Sequence, residues 1–230
     1  MQEILEGVWW IRRPMVNVYV VQTHEGLWLV DAGTPWDAKA LLAALRSLGV
    51  ERGDLRAILL THGDFDHVGS AAHLRDTLHA PIWVHPADAE AVAGRAPIRR
   101  RVVGGLATRL SIALSSRLVH APPVEPDRTL ADGEVLAEGC LHVIHTPGHT
   151  DGHVCFFDER RCLLFGGDVV RTSRRRMYRP PFVLADADAQ RQTLRKLATL
   201  KFDRAVFGHG PPILNDADHL LRAELTALEP

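Results

Sequence analysis

Four side chains that can bind a divalent metal ion occur within six residues of this chain: His62, Asp64, Asp66 and His67. They follow the apolar run at 55–61, which predicts a buried strand. The side chains at 62, 64 and 66 can converge where that strand opens into a loop, and His67 begins the next helix. Imidazole nitrogen and carboxylate oxygen are ligands of zinc, manganese and iron. The H-x-D-x-D-H pattern therefore predicts a metal site.

Three further ligand-type residues follow predicted strands later in the chain. His149 lies in the turn TPGHT, Asp168 ends the run FGGD, and His209 lies in FGHG. Each stands beside glycine, which lets the backbone approach a crowded site. With the first group this gives seven candidates, enough for two metal ions that share one bridging carboxylate.

The elements that must position these residues are strands alternating with helices. Apolar periodicity and turn residues predict three short strands in the first 32 residues and further strands at 55–61, 82–85, 134–137, 141–146, 153–158, 162–168 and 205–208. Helical spacing predicts helices between Pro35 and Gly49 and at 66–79, 86–93, 98–116, 186–200 and 216–228. We expect a single α/β domain over residues 1–230. Two insertions are predicted on it, a helical one at about 86–120 and an arginine-rich loop at about 171–181.

Composition excludes several classes of protein. Apolar residues are 46% and charged residues 24% of the chain, as in ordinary globular proteins. The 27 basic and 28 acidic residues give a net charge of −1, so nucleic acid is not an expected partner. The sequence contains no stretch of about 18 apolar residues, so we expect no membrane span. The start of the chain lacks the basic region of a signal peptide, and the three cysteines form no CxxC pair, so we expect a cytoplasmic protein.

The order of the motifs THGDFDHVG, TPGHT, GGD and GHG, with LVDAG upstream, resembles the metallo-β-lactamase superfamily of hydrolases. The resemblance runs from Asp31 to His209. It implies an αβ/βα sandwich with a dinuclear metal site at one edge. For the first metal it implies the ligands His62, Asp64 and His149. For the second metal it implies Asp66, His67 and His209, with Asp168 bridging both. Asp31 matches a position that supports the metal-binding loop, and we expect a similar supporting role for His153.

One position departs from the family's usual H-x-H-x-D-H pattern, because Asp64 stands where the second histidine belongs. Carboxylate is a harder ligand than imidazole. Zinc is the expected metal overall, but manganese or iron becomes an alternative at the Asp64 site. A second alternative is that Asp64 is a loop carboxylate that caps the following helix.

The arginine-rich run begins three residues after Asp168. Guanidinium groups suit carboxylate and phosphate, so we expect contacts with an anionic group on the substrate. The alternative is a solvated surface. The candidate substrate-binding residues are Arg171, Arg174, Arg175, Arg176 and Tyr178.

The resemblance implies metal-assisted hydrolysis in which a metal-bridging hydroxide attacks the substrate, while Asp66 orients the water and passes on its proton. The candidate substrates are esters, thioesters, lactones and phosphodiesters, and we expect the substrate to be a small anionic molecule. The alternatives are an iron-binding redox or dioxygenase-type member of the superfamily, a nuclease-like phosphodiesterase and a metal-poor binding module. The predicted helix around 102–115 has a long apolar face, which would close the pocket or pair two chains as a homodimer.

Overall fold

The computed structural model of the protein describes residues 1–99, 101–102, 120–173, 176–178 and 183–226. These residues form two compact units. The first comprises the described residues of Met1–Ile98 and Leu118–Ala131, and the second those of Arg99–Arg117 and Asp132–Pro230. None of the helices in the described ranges has both the length and the apolar character needed to cross a bilayer.

The first unit contains a seven-stranded sheet in the order β1-β2-β3-β4-β5-β6-β8. Its strands are β1 (Gln2–Leu5), β2 (Val8–Arg12), β3 (Asn17–Thr23), β4 (Gly26–Val30), β5 (Leu55–Leu59), β6 (Ile82–Val84) and β8 (Arg128–Thr129). β1 to β4 pair antiparallel, whereas β4, β5, β6 and β8 run parallel. Since β5 is buried almost throughout, the loop at its carboxyl end starts from a fixed position.

Helices cover the apolar surface of this sheet. They are α1 (Ala38–Ser47), α2 (Phe65–Val68), α3 (Ala71–Leu78) and α4 (Pro86–Val92). Leu41 and Leu45 of α1 lie one turn apart and are fully buried, together with Leu29 and Ile58 of the sheet. Burial of these side chains holds α1 against β4 and β5, and β5 is the strand that leads into the first metal-binding motif.

The second unit is built on a five-stranded sheet in the order β16-β12-β11-β10-β9. Its strands are β9 (Val135–Leu136), β10 (Leu141–His145), β11 (Val154–Asp158), β12 (Leu163–Phe165) and β16 (Arg204–Val206). β12 and β16 run parallel, so their carboxyl ends leave the sheet at the same edge. Two helices, α5 (Ala187–Ala198) and α6 (Ala217–Thr226), contribute the buried residues Leu194, Leu197 and Leu221 to its core.

Two short pairs of strands complete the second unit. β13 (Arg171–Ser173) and β14 (Arg176–Tyr178) form an antiparallel hairpin, and β7 (Arg101–Val102) pairs with β15 (Val183–Leu184). The prediction of an arginine-rich loop at 171–181 was therefore wrong for its described part, which is a hairpin. The prediction of a helix at 98–116 was wrong at Arg101–Val102, and residues 103–116 lie outside the described residues.

The helix predicted at 66–79 is divided into α2 and α3 around Gly69 and Ser70. A Cβ atom at Gly69 would lie 2.3 Å from the backbone nitrogen of Pro35, so the chain can make this close approach only with glycine. The Ser70 hydroxyl donates to the Thr34 carbonyl at 2.6 Å. Contacts with the loop before α1 thus end one helix and begin the next.

Candidate metal centre

Asp31 organises the two histidines of the first metal-binding motif. Its carboxylate accepts from the backbone N–H of Thr61 at 2.8 Å and from the Thr61 hydroxyl at 2.9 Å. The other carboxylate oxygen lies 2.8 Å from His67 Nδ1. Because a carboxylate only accepts, this nitrogen of His67 carries the proton. Asp31 itself has a φ of 65°, a left-handed conformation that aspartate tolerates better than most residues.

The Thr61 hydroxyl fixes the ring of His62 in the same way. It gives its one proton to Asp31, so at 2.9 Å from His62 Nδ1 it accepts the proton of that nitrogen. The rings of His62 and His67 are both fully buried, and their centroids lie 4.0 Å apart. In both rings Nε2 is thus the unprotonated nitrogen that can bind a metal ion.

Asp64 stands at the position before α2, but its side chain makes no capping hydrogen bond to that helix. Instead Asp64 Oδ2 lies 3.6 Å from His62 Nε2. The interpretation of Asp64 as a helix cap was therefore wrong. Asp66 lies in the first turn of α2 and is half-buried.

Asp168 brings the three ligand-type residues of the second unit together. It follows β12 through Gly166 and Gly167, and its Oδ2 atom lies 3.7 Å from His149 Nε2 and 3.1 Å from His209 Nε2. His149 comes from the turn after β10, and His209 from the turn after β16. One carboxylate oxygen thus faces both imidazoles.

These separations fit a metal centre. Ligand atoms held at about 2.0–2.1 Å around one tetrahedral zinc ion lie about 3.4 Å from each other. The distances of 3.1 Å and 3.7 Å at Asp168, and of 3.6 Å between His62 and Asp64, fall close to that value. The donor set in each unit, imidazole nitrogen with carboxylate oxygen, has the chemistry that divalent transition metals accept.

His153 supports Asp168 from within the sheet. The Asp168 backbone N–H donates to His153 Nε2 at 2.9 Å, and His153 Nδ1 lies 2.8 Å from the Thr146 hydroxyl. The ring is fully buried. Since an N–H can only donate, Nε2 is unprotonated and His153 is neutral, with its proton on Nδ1.

The arginine-rich hairpin is bonded to the turn that carries His209. The Thr172 N–H donates to the His209 carbonyl at 3.0 Å, and the Thr172 hydroxyl donates to the Pro211 carbonyl at 2.6 Å. Arg171 and Arg176 are exposed on this hairpin. Arg174 and Arg175 lie outside the described residues, and only the backbone of Tyr178 is described. Met177 of the same hairpin is buried in the core of the second unit.

Sequence reasoning missed three residues that hold the metal-binding motifs. Thr61 and Thr146 each precede a motif and orient a histidine ring, and Asp88 of α4 accepts from the Gly63 N–H at 2.9 Å. A threonine at the end of a strand directly before a histidine motif is a signal that could have found the first two. Asp88 gives no such signal, because an acid in the first turn of a helix is ordinary.

The profile of the metallo-β-lactamase superfamily matches residues 11–209 of this sequence. The chain belongs to the metallo-β-lactamase superfamily. This confirms the resemblance seen in the motifs and the predicted fold class, the α/β fold of that superfamily.

Several known proteins are similar to this chain over much of their length. The probable metallo-hydrolase YflN of Bacillus subtilis (strain 168) is 28% identical, over 98% of this chain and 91% of that protein. The acyl-coenzyme A thioesterase MBLAC2 of Gallus gallus is 30% identical, over 71% of this chain and 63% of that protein. A crystal structure of TTHA1623 in a di-iron-bound form is 32% identical, with a TM-score of 0.66 over 87% of this chain and 91% of that one.

Proposed function

We propose that this member of the superfamily is a hydrolase that uses two divalent metal ions to cleave a thioester in a small anionic substrate. The observation that carries the proposal is the arrangement at Asp168, where one carboxylate oxygen faces the Nε2 atoms of His149 and His209. A carboxylate between two imidazoles at the ends of three strands suits a ligand that two metal ions share.

The proposed ligand sets follow the pattern of the superfamily. We assign His62, Asp64 and His149 to the first ion, Asp66, His67 and His209 to the second, and Asp168 to both. When bound, such ions lower the pKa of a water molecule and polarise the bond to be cleaved. We propose that the two ions are zinc.

The side chains of the chain itself supply the remaining functions. Asp31 and Thr61 keep the protons of His67 and His62 on Nδ1, which leaves Nε2 of each ring as the donor atom. The Asp66 carboxylate accepts the proton of the attacking water and delivers it to the leaving sulfur. His153 fixes the backbone of Asp168.

Two observations favour an anionic thioester among the acyl and phosphoryl substrates. MBLAC2, a relative at 30% identity, is an acyl-coenzyme A thioesterase. The exposed Arg171 and Arg176 stand on a hairpin that is bonded to the His209 turn, where guanidinium groups would meet the phosphates of a coenzyme A carrier.

A substrate panel tests the proposal. The protein reconstituted with zinc is given acetyl-coenzyme A, the uncharged thioester S-acetyl-N-acetylcysteamine, a neutral lactone and bis(p-nitrophenyl) phosphate. We expect acetyl-coenzyme A to have the highest kcat/KM, and Asp66→Asn to lower hydrolysis of every substrate. Cleavage of the phosphodiester alone would support the nuclease-like alternative. No hydrolysis of any substrate by the metal-loaded protein would contradict the proposal.

An iron-binding redox enzyme is the second candidate. It is favoured by Asp64, a harder ligand than histidine, and by the di-iron-bound form of TTHA1623 at 32% identity. Protein purified without added metal would then contain iron, and the iron-loaded form would consume oxygen in the presence of a thiol or persulfide. Iron loading without oxygen consumption would count against this candidate.

A further inference from the structure

Helix α4 touches the first metal-binding motif through a buried carboxylate. Asp88 lies in the first turn of α4, is 2% exposed, and its Oδ2 atom accepts from the Gly63 N–H at 2.9 Å. Gly63 is the residue between His62 and Asp64. The hydrogen bond therefore holds the peptide group between His62 and Gly63, in the short segment that joins two of the proposed ligands.

The packing around Gly63 is equally close. A Cβ atom at this position would lie 2.6 Å from Ile98 Cδ1, 3.4 Å from Val92 Cγ2 and 3.6 Å from Asp88 Cβ. A side chain at position 63 would have to displace the end of the Ile98 side chain, but it would be only in ordinary van der Waals contact with Val92 and Asp88 of α4. The loop at Gly63 thus packs against α4 and is hydrogen-bonded to it through Asp88.

Helix α4 is itself held at both ends. The His85 side chain caps it by accepting from the Ala87 N–H at 3.3 Å, and the Val92 carbonyl accepts from the Val124 N–H at 3.0 Å. Burial of a carboxylate costs free energy unless hydrogen bonds compensate it. An acid in the first turn of a helix would normally remain in water, so the buried position of Asp88 calls for a specific role.

We propose that Asp88 is a positioning residue for the first metal ion. By fixing the Gly63 N–H, its carboxylate sets the separation of His62 Nε2 and Asp64 Oδ2, the two donor atoms that lie 3.6 Å apart. The metal-dependent part of this inference rests on the proposed function, whereas the hydrogen bond stands without it. Helix α4 is then part of the support of the metal centre.

The variants Asp88→Ala and Asp88→Asn separate the hydrogen bond from other roles of this residue. Asparagine keeps an acceptor for the Gly63 N–H, and alanine removes it. Asp76, which is exposed on α3, gives matched controls with Asp76→Ala and Asp76→Asn. Each full-length protein is stripped of metal, its melting temperature is measured, and zinc is titrated against a competing chelator.

For Asp88→Ala we expect the zinc affinity of the first metal site, which is the weaker of the two, to fall about 10–100-fold, the usual effect of removing a group that orients a ligand. Asp88→Asn and both Asp76 variants should stay within about threefold of wild type. The tighter equivalent, at the second metal site, should bind as before. Equal loss in Asp88→Asn and Asp88→Ala, equal weakening of both equivalents, or unchanged binding in Asp88→Ala would each overturn the proposal.

Amide hydrogen exchange at Gly63 in the metal-free protein gives a second readout. We expect protection in wild type and Asp88→Asn, and faster exchange in Asp88→Ala. If wild type binds no zinc, the proposed function fails, and the exchange rates still decide whether Asp88 holds this peptide; unchanged exchange in Asp88→Ala overturns that too. Should Asp88→Ala fail to fold, Asp88→Glu replaces it. That variant keeps the charge but moves the acceptor by one methylene, so it should lower the zinc affinity of the first metal site.

Discussion

The backbone N–H of Asp168 donates to Nε2 of His153 over 2.9 Å, and this bond requires a neutral imidazole with its proton on Nδ1. The Nδ1 proton is directed at the Thr146 hydroxyl, 2.8 Å away. A buried histidine therefore links the strand end before the His149 turn to the turn that carries Asp168.

From this relationship we predict opposite results for two amides at position 153. The oxygen of glutamine reaches the former Nε2 position, so His153→Gln should keep most of the metal affinity. Asparagine is too short, and His153→Asn should weaken zinc binding about 10–100-fold. Chelator titration measures this, with the exposed His219→Asn and His219→Gln as controls. Equal affinities for the two position-153 variants would refute the role of the hydrogen bond.

We predict that the first metal site is the weaker one for zinc, because Asp64 replaces the imidazole usual in the superfamily. Dialysis against a mild chelator should release one equivalent first, and Asp64→His should slow that release. Metal content of the dialysed protein is measured over time. Release of both equivalents together, with no change in Asp64→His, would show that position 64 does not set the order.

The exposed arginines of the hairpin should act on charged substrates only. For the double variant Arg171→Ala/Arg176→Ala we expect kcat/KM to fall about three- to tenfold with acetyl-coenzyme A and to change little with S-acetyl-N-acetylcysteamine. Added salt should shrink the difference, since exposed charges are screened. The control is Arg160→Ala, because Arg160 is an exposed arginine that follows the carboxyl end of β11. Equal loss on both substrates would mean that the arginines only support the fold.

Burial raises the pKa of the Cys155 thiol to about 12 from an ordinary value of 9.0. Because the folded pKa is the higher one, the neutral thiol stabilises the fold fully below pH 9, and this contribution is lost as the pH rises toward 12. At pH 8 iodoacetamide should therefore modify the exposed Cys162 and leave Cys155 unmodified until urea unfolds the chain. Mass spectrometry locates the label. Labelling of Cys155 in the folded protein at the rate of Cys162 would contradict its burial.

The sequence predicted the ligand-type residues of the site because they are short motifs at strand ends. The strand at 55–61 and the glycines beside His149, Asp168 and His209 are local signals, and the structure has strands β5, β10, β12 and β16 before these motifs. The fold class followed from the order of the same motifs and is confirmed by the family match over residues 11–209.

Contacts between distant residues were not predictable. The break between α2 and α3 comes from Pro35 against Gly69, and the bond from Gly63 to Asp88 joins residues 25 positions apart. The arginines obscured the strand pattern of the hairpin, because among its described side chains only Thr172 and Met177 are buried. Neither the contact of Pro35 with Gly69 nor the hydrogen bond of Gly63 to Asp88 leaves a periodic pattern in the sequence.

The number of metal ions per chain tests the central claim most directly. Wild type and Asp168→Asn are reconstituted with zinc, freed of excess metal and analysed by elemental mass spectrometry, with Asp188→Asn on the exposed surface of α5 as the control. We predict two equivalents in wild type and in the control, and less than one in Asp168→Asn, together with loss of hydrolysis. An Asp168→Asn protein that keeps two equivalents and full turnover would contradict a metal centre bridged by Asp168.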